Sequence, residues 1–463
     1  AFAVYVGWTV WRTRVSFDGF PALQDADRAT QDGPLLVGLA VLLSANHAVL
    51  RSRRHDTERH LDVLVLPRWG RTVAHLLSVA AAALMTAVCV GGQFTWEALK
   101  PGAVGHGSPA ELAVGPLVVL VFGMFGVLLG RVVRSALAGP LVVVLLLYTF
   151  VFGASGDGAD GMSWLAPVVV QSGADALPSA LLGRPAAWHA LYLAGVALCL
   201  ALLAVLLAGG RSTVVRTGVV LGLTVAVAGG VLQARGAAPS AELTAARERA
   251  VSDPELSCAE RGRSTYCAFP EWTPRVGTWA GVVDRVQALA GGSAHERRLH
   301  VRQRVVATYG LVNDAAMAPQ TEAGQVTVGT AWGGNRVPEF SSAVAAVLVA
   351  GSEKAGSEVC DGRMVTLMWL SLSWQDDPVD ALRRVRVDDS VRGSAIVLSP
   401  TEPLSMTAGQ TDVVRRLLEN PPAGVGERVK AHWAELTAPG VTTARAAGLL
   451  GVAGPEKADS CEE

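Results

Sequence analysis

Charge is what this chain has least of. Charged residues make up 17% of its 463 positions and the formal net charge at pH 7 is -1, which leaves no basic surface for a nucleic acid. Lysine is almost missing, so nearly every cation is an arginine. There is no GxxxxGKS or GxxxxGKT string, and without it the chain cannot cradle a nucleotide's phosphates by the usual loop. No CxxC pair occurs, nor a His at ligand spacing beside any Cys, which speaks against a zinc site. No carboxylate lies deep in an apolar run, which argues against a proton-coupled carrier, and no repeat of solenoid period is present. The first residue, Ala1, is not a methionine and sits inside an apolar run, so the first helix is expected to be truncated.

What fills the chain instead is apolar. Hydrophobic residues reach 51%, with 50 glycines, and the mean hydropathy is +0.36, too apolar for a soluble protein of this size. The pattern predicts about seven spans: the shortened 1–11, then 33–50, 72–92, 113–130, 136–154, 188–209 and 217–233. Between the fifth and sixth, residues 155–185 are too short to cross twice and too apolar for a free loop. They are expected to lie in the outer interface or to dip into it as a short helical pair.

Sidedness follows from arginine. The turns 51–71, 131–134 and 211–216 hold Arg51, Arg68, Arg71, Arg131, Arg134, Arg211 and Arg216, whereas the alternate loops are poorer in cations, so the first set is expected to be cytoplasmic. The loop 51–71 also carries a helical pattern of its own. Asp56 or Thr57 can cap it, Glu58 sits in its first turn, Leu61, Leu64 and Val65 share a face, and Pro67 stops it. Asn46 and His47, near the inner end of the second span, are polar groups suited to a transport pathway or a helix contact, with snorkelling to the interface as the plainer explanation.

Residues 53–77, RRHDTERHLDVLVLPRWGRTVAHLL, resemble the loop between the second and third membrane helices of ABC-2-type exporter permeases, especially actinobacterial ones. The matching features are Asp56-Thr57-Glu58, then Leu61, then Pro67 ahead of the next span. The resemblance implies a coupling helix over 56–66, with Asp56, Thr57, Glu58, Arg59, Leu61, Leu64 and Pro67 transmitting motion from a separate ATPase subunit. ATP and Mg would be held by that partner, with no cofactor in this chain, and a second permease subunit, identical or homologous, would complete the complex in the bilayer of the cell membrane. Permeases of this family also carry an external helical element where 155–185 falls, and a segment similar to CAERGRSTYCAFPEW after the membrane core.

From 235 to 463 the composition turns polar, enough for a globular domain, and counting crossings places it outside the cell. Helices are expected at 241–251, 276–289, 341–349, 379–385, 412–419 and 426–436, and strands at 304–309, 325–328 and 365–372. Four of the six cysteines fall here, as an oxidising compartment predicts. Cys258 and Cys267 enclose a short loop and are expected to pair, leaving Cys360 for Cys461 by elimination. The string His295-Glu296-Arg297-Arg298-Leu299-His300 falls short of a zincin. Its histidines are five apart, about 140° round a helix, where HExxH needs about 40°, and it is expected to be a solvated, charged helix end.

The expectation is therefore a polytopic α-helical membrane protein (1–234) followed by a mixed α/β, helix-dominant extracytoplasmic domain (235–463), serving as the permease of an exporter of amphipathic or hydrophobic cargo and not itself an enzyme. The alternatives are a membrane-anchored extracytoplasmic binding or sensor protein, and an extracytoplasmic peptidase or an inactive metallopeptidase-like ectodomain.

Overall fold

The computed structural model describes residues 3–7, 22–54, 67–153, 163–169, 177–237, 240–252, 256–305, 317–330 and 337–455. The chain divides into two compact units, one of residues 1–172 and 178–245, the other of 246–463 with 173–177.

The first unit is helical. A short helix α1 (Leu23–Ala29) bends at Thr30 into α2 (Asp32–Arg54), and then follow α3 (Arg68–Ala98), α4 (Pro109–Val132), α5 (Ala138–Gly153), α6 (Ala186–Leu207) and α7 (Thr213–Ala237), while α8 (Ala241–Ser252) belongs partly to each unit. Among the described residues five stretches are long and apolar enough to cross a bilayer: Leu23–Arg51, Arg68–Ala98, Pro109–Val132, Ala186–Leu207 and Thr213–Gly236. These match five of the seven expected spans and mark a membrane protein. The expected fifth span forms α5, whose 16 residues reach about 24 Å, short of a bilayer's roughly 30 Å hydrocarbon core. Of the expected first span, only 3–7 is described, as helix.

α4 is at the centre of this unit. Val114, Val118 and Phe122 pack with Leu35, Leu39 and Leu42 of α2 and with Leu193 and Ala197 of α6, and farther along Met124 and Val127 meet Val49, Val79 and Val205. Lipid-like faces do not drive helices together, so close approach has to come from small residues. A β-carbon on Gly126 would lie 2.4 Å from the Leu42 carbonyl oxygen, and one on Gly222 of α7 2.8 Å from the Cys199 nitrogen of α6.

The second unit joins a sheet to a helical core. Strands β1 (Ser257–Arg261) and β2 (Ser264–Ala268) form an antiparallel hairpin, followed in parallel register by β3 (His300–Gln303) and β4 (Gln325–Val328), in the order β1-β2-β3-β4. Helix α9 (Val276–Leu289) connects β2 to β3, and α10 (Val337–Ala350) follows β4. Then come α11 (Glu353–Ser357), α12 (Arg363–Leu372), α13 (Pro378–Val385), the hairpin β5 (Ala395–Val397) and β6 (Leu404–Met406), and α14 (Ala408–Glu419), α15 (Val425–Ala431), α16 (Trp433–Leu436) and α17 (Thr443–Leu450). Every residue from Pro338 to Val349 and from Met364 to Leu372 is buried, so α10 and α12 form the core.

Three expectations are corrected. Residues 365–372 are helical, not a strand: a continuous apolar run does not report its period, and Leu and Met favour a helix once all sides are enclosed. Of the strand expected at 304–309, Arg304 and Val305 lie just past a strand at His300–Gln303 that pairs with both neighbours, and 306–309 lie outside the described residues. The expected helix end around His295 is a 3-10 turn, Gly292–Glu296, with His295 Nδ1 2.9 Å from the Gln287 carbonyl oxygen and His300 on β3.

Replacing Gly126 with Ala is expected to destabilise the helical unit by about 1–3 kcal/mol through overpacking against α2. Gly92→Ala, with nothing within 4 Å of the added carbon, should be neutral or gain up to about 1 kcal/mol from helix propensity. Thermal unfolding of the detergent-purified variants compares the two.

Candidate functional site

Of the expected coupling residues, Asp56, Thr57, Glu58, Arg59, Leu61 and Leu64 lie outside the described residues, and Pro67 stands as the N-cap of α3. The two ends of that loop are placed. A β-carbon on Gly130 would touch Val49, which sets the end of α4 beside the end of α2, and one on Gly210 would lie 3.3 Å from the Trp69 Cβ, which sets the α6–α7 turn beside the start of α3. Arg51, Arg68, Arg71, Arg131 and Arg211 are thereby gathered at one end of the helical unit. Close by, Asn46 is buried, with its amide nitrogen 3.5 Å from the Gly126 carbonyl oxygen, while His47 is exposed, and both line a cleft.

A second polar site, at the opposite end of the helical unit, is the one that sequence reasoning missed. Ser108 caps α4, with Pro109 next and Glu111 in the first turn, where the helix dipole favours a carboxylate. The Ser108 N–H donates to Asp27 Oδ2 at 2.7 Å, and the Glu111 carboxylate faces elsewhere. Its Oε1 accepts from Arg184 Nε at 2.6 Å and its Oε2 from Gln31 Nε2 at 2.6 Å. Both ionic side chains are only 6% exposed, so this is a buried pair that ties the α1–α2 bend, α4 and the turn before α6 together.

Arg184 then reaches a further element. Its guanidinium lies 5.0 Å from the ring centroid of Trp164, a buried residue in the 3-10 turn Ser163–Leu165, and Trp164 meets His189 of α6 edge-on at 5.4 Å. This turn gives its carbonyls to the bundle. Gln233 Nε2 of α7 donates to the Trp164 oxygen at 2.7 Å, Tyr192 Oη to the Leu165 oxygen at 3.3 Å, and His189 Nε2 stands 3.3 Å from the Pro167 oxygen. His189 Nδ1 faces Gln233 Oε1 at 2.9 Å, and Val168 enters the main apolar cluster. The segment expected to dip into the outer interface therefore has a seat of buried polar groups. Ser-Pro-Ala-Glu at 108–111, a capping motif with Pro at the first helical position, was the signal for Glu111. Nothing local pointed to Arg184 or Gln31.

In the second unit the disulfide Cys258–Cys267 forms as expected, joining directly opposed residues of β1 and β2. Cys360 is also disulfide-bonded, and Cys461, expected as its partner, lies outside the described residues. Glu353 is buried and accepts from the Gln320 N–H at 2.8 Å and from the Thr327 N–H and hydroxyl. Burial pushes its carboxyl above the usual range, and those donors oppose the rise. Arg386, wholly buried, grips Asp388 with two nitrogens and the Arg392 and Gly393 carbonyls with its remaining N–H groups. Among the described residues no three His, Cys, Asp or Glu side chains are grouped to hold a metal. The chain matches no family model, no curated protein and no solved structure.

Arg184→Ala leaves the Glu111 charge buried and unpaired and should cost about 3–5 kcal/mol. Pairing it with Glu111→Gln should recover part of that loss, and a double-mutant cycle in thermal unfolding reads the coupling. A pH test addresses Asp388, whose carboxyl is held below the usual range by its hydrogen bonds from Arg386. A depressed folded value means that its stabilisation is present above the unfolded carboxylate range, near 3.9, and is lost as pH falls through the folded value. Hydrogen exchange of the amides at 388–393 should therefore speed up at strongly acidic pH relative to the rest of the unit, after correction for intrinsic rates. Asp388→Asn should show that faster exchange already at neutral pH.

Proposed function

We propose that this chain is the membrane subunit of an ABC-2-type exporter, working with a second permease subunit and powered by a separate ATPase that docks on the 51–71 loop. The observation that carries this reading is the gathering of arginines from three turns at one end of the helical unit, around the two ends of that loop. Such an end belongs on the cytoplasmic side, where ATP is available, and the loop joins the resemblance in Asp56, Thr57, Glu58, Leu61 and Pro67 to a position from which motion would pass into α2 and α3.

The same reading puts the chain beyond α7 on the other side. α7 starts at the arginine-rich end and runs to the opposite one, which supports an extracytoplasmic second unit, as does the Cys258–Cys267 disulfide. Apolar spans with few charges favour amphipathic or hydrophobic cargo. On this reading the buried Glu111–Arg184 pair and the seated Ser163–Leu165 turn would lie at the outer end of the helical unit.

The test is purification of the tagged full-length chain from its native membrane. A P-loop ATPase should accompany it and be lost with Glu58→Arg and Leu61→Asp together. Absence of an ATPase from the wild-type preparation, or its retention by that variant, defeats the reading.

A further inference from the structure

The cleft at the arginine-rich end has a volume of about 420 Å³ and lies between the last turns of α2 and the start of α5. Leu43, Leu50 and Pro140 form apolar walls, and Ser44, Asn46 and His47 bring polar atoms along one side. Asn46 is 3% exposed, and Gly139 is pressed so close that a β-carbon there would sit 3.0 Å from the amide oxygen. Because α5 begins here, the positive end of its dipole opens on the cleft. Two exposed cations stand near it along the chain: Arg51 is one helical turn beyond the lining residue His47, and Arg134 is two residues before the lining residue Ala136.

The cleft continues into a surface suited to a hydrocarbon chain. Along α5 and the turn before it, Leu137, Leu141, Val144 and Leu145 are all exposed. A ligand fitting both parts carries an anionic head and an apolar tail. A free anion would leave the apolar ladder unused, and a neutral amphiphile would leave the arginines and the helix end without a counter-charge.

We propose that this cleft is a binding site for one anionic phospholipid. Its phosphodiester sits at the start of α5, facing Ser44 and His47 and within the field of Arg51 and Arg134, and an acyl chain lies along the exposed side of α5. This assigns Asn46 and His47 to a lipid seat rather than to a cargo pathway. It requires only that the helical unit be membrane-embedded, so it stands or falls independently of the exporter reading.

Native mass spectrometry of the full-length protein in mild detergent, titrated with phosphatidylglycerol or phosphatidylcholine of the same chains, provides the test. The first phosphatidylglycerol should bind at least about fivefold more tightly, the factor expected for one basic residue near a membrane surface. Arg134→Gln should reduce that preference by about the same factor. Ala136→Trp, which fills the cleft and leaves every charge in place, should abolish it, and Ser44→Phe does the same from the α2 side should the first variant fail to purify. Millimolar inorganic phosphate should not displace the lipid. Equal binding of the two lipids, a preference that survives filling of the cleft, or displacement by phosphate overturns the proposal.

Discussion

The helical unit depends on one buried ionic contact. Glu111 and Arg184, 73 residues apart in sequence, meet at 2.6 Å with almost no exposure, and the energetic logic of such a pair is asymmetric. Its presence adds little over an apolar alternative, but the loss of either partner strands a charge. The pair therefore works as a specification of arrangement: α4, the α1–α2 bend and the turn before α6 must come together for either ion to be tolerated. Gln31 takes up a remaining carboxylate lone pair, and Trp164 covers the guanidinium, so the constraint extends to the Ser163–Leu165 turn and through it to α6 and α7.

Much of this architecture could be read in the sequence, for reasons that differ by element. The long helices were visible because about twenty apolar residues in a row have few other fates. In α2, α3 and α4 the observed bounds run past the expected spans at one or both ends because backbone hydrogen bonding continues into polar residues such as Glu97 and Glu111. Glu111 stands two positions before an expected span, in a capping motif that is legible in the sequence. Arg184 and Gln31 could not be found that way, since the contact joining them is long-range and leaves no local trace.

The second unit shows the limits of periodicity. α9 matched its expected bounds because one face is apolar and the other polar, and that alternation gives the period. α12 has no polar face, so Val365–Leu372 could be counted equally well as strand or helix, and only the enclosure supplied by its neighbours decides. The short loop expected between Cys258 and Cys267 is the β1–β2 hairpin. Its two-residue turn uses Gly262 at φ 59°, a conformation that favours glycine, and that glycine was the available clue.

The enclosure of α10 and α12 has a consequence for which helices can span. Each is as greasy as a membrane segment, yet they hold 14 and 10 residues, roughly 21 and 15 Å of helix. Neither is long enough to cross the hydrocarbon core of a bilayer, and each buries its apolar side chains against the other and the helices around it, so length as well as composition decides which apolar helices of this chain can span.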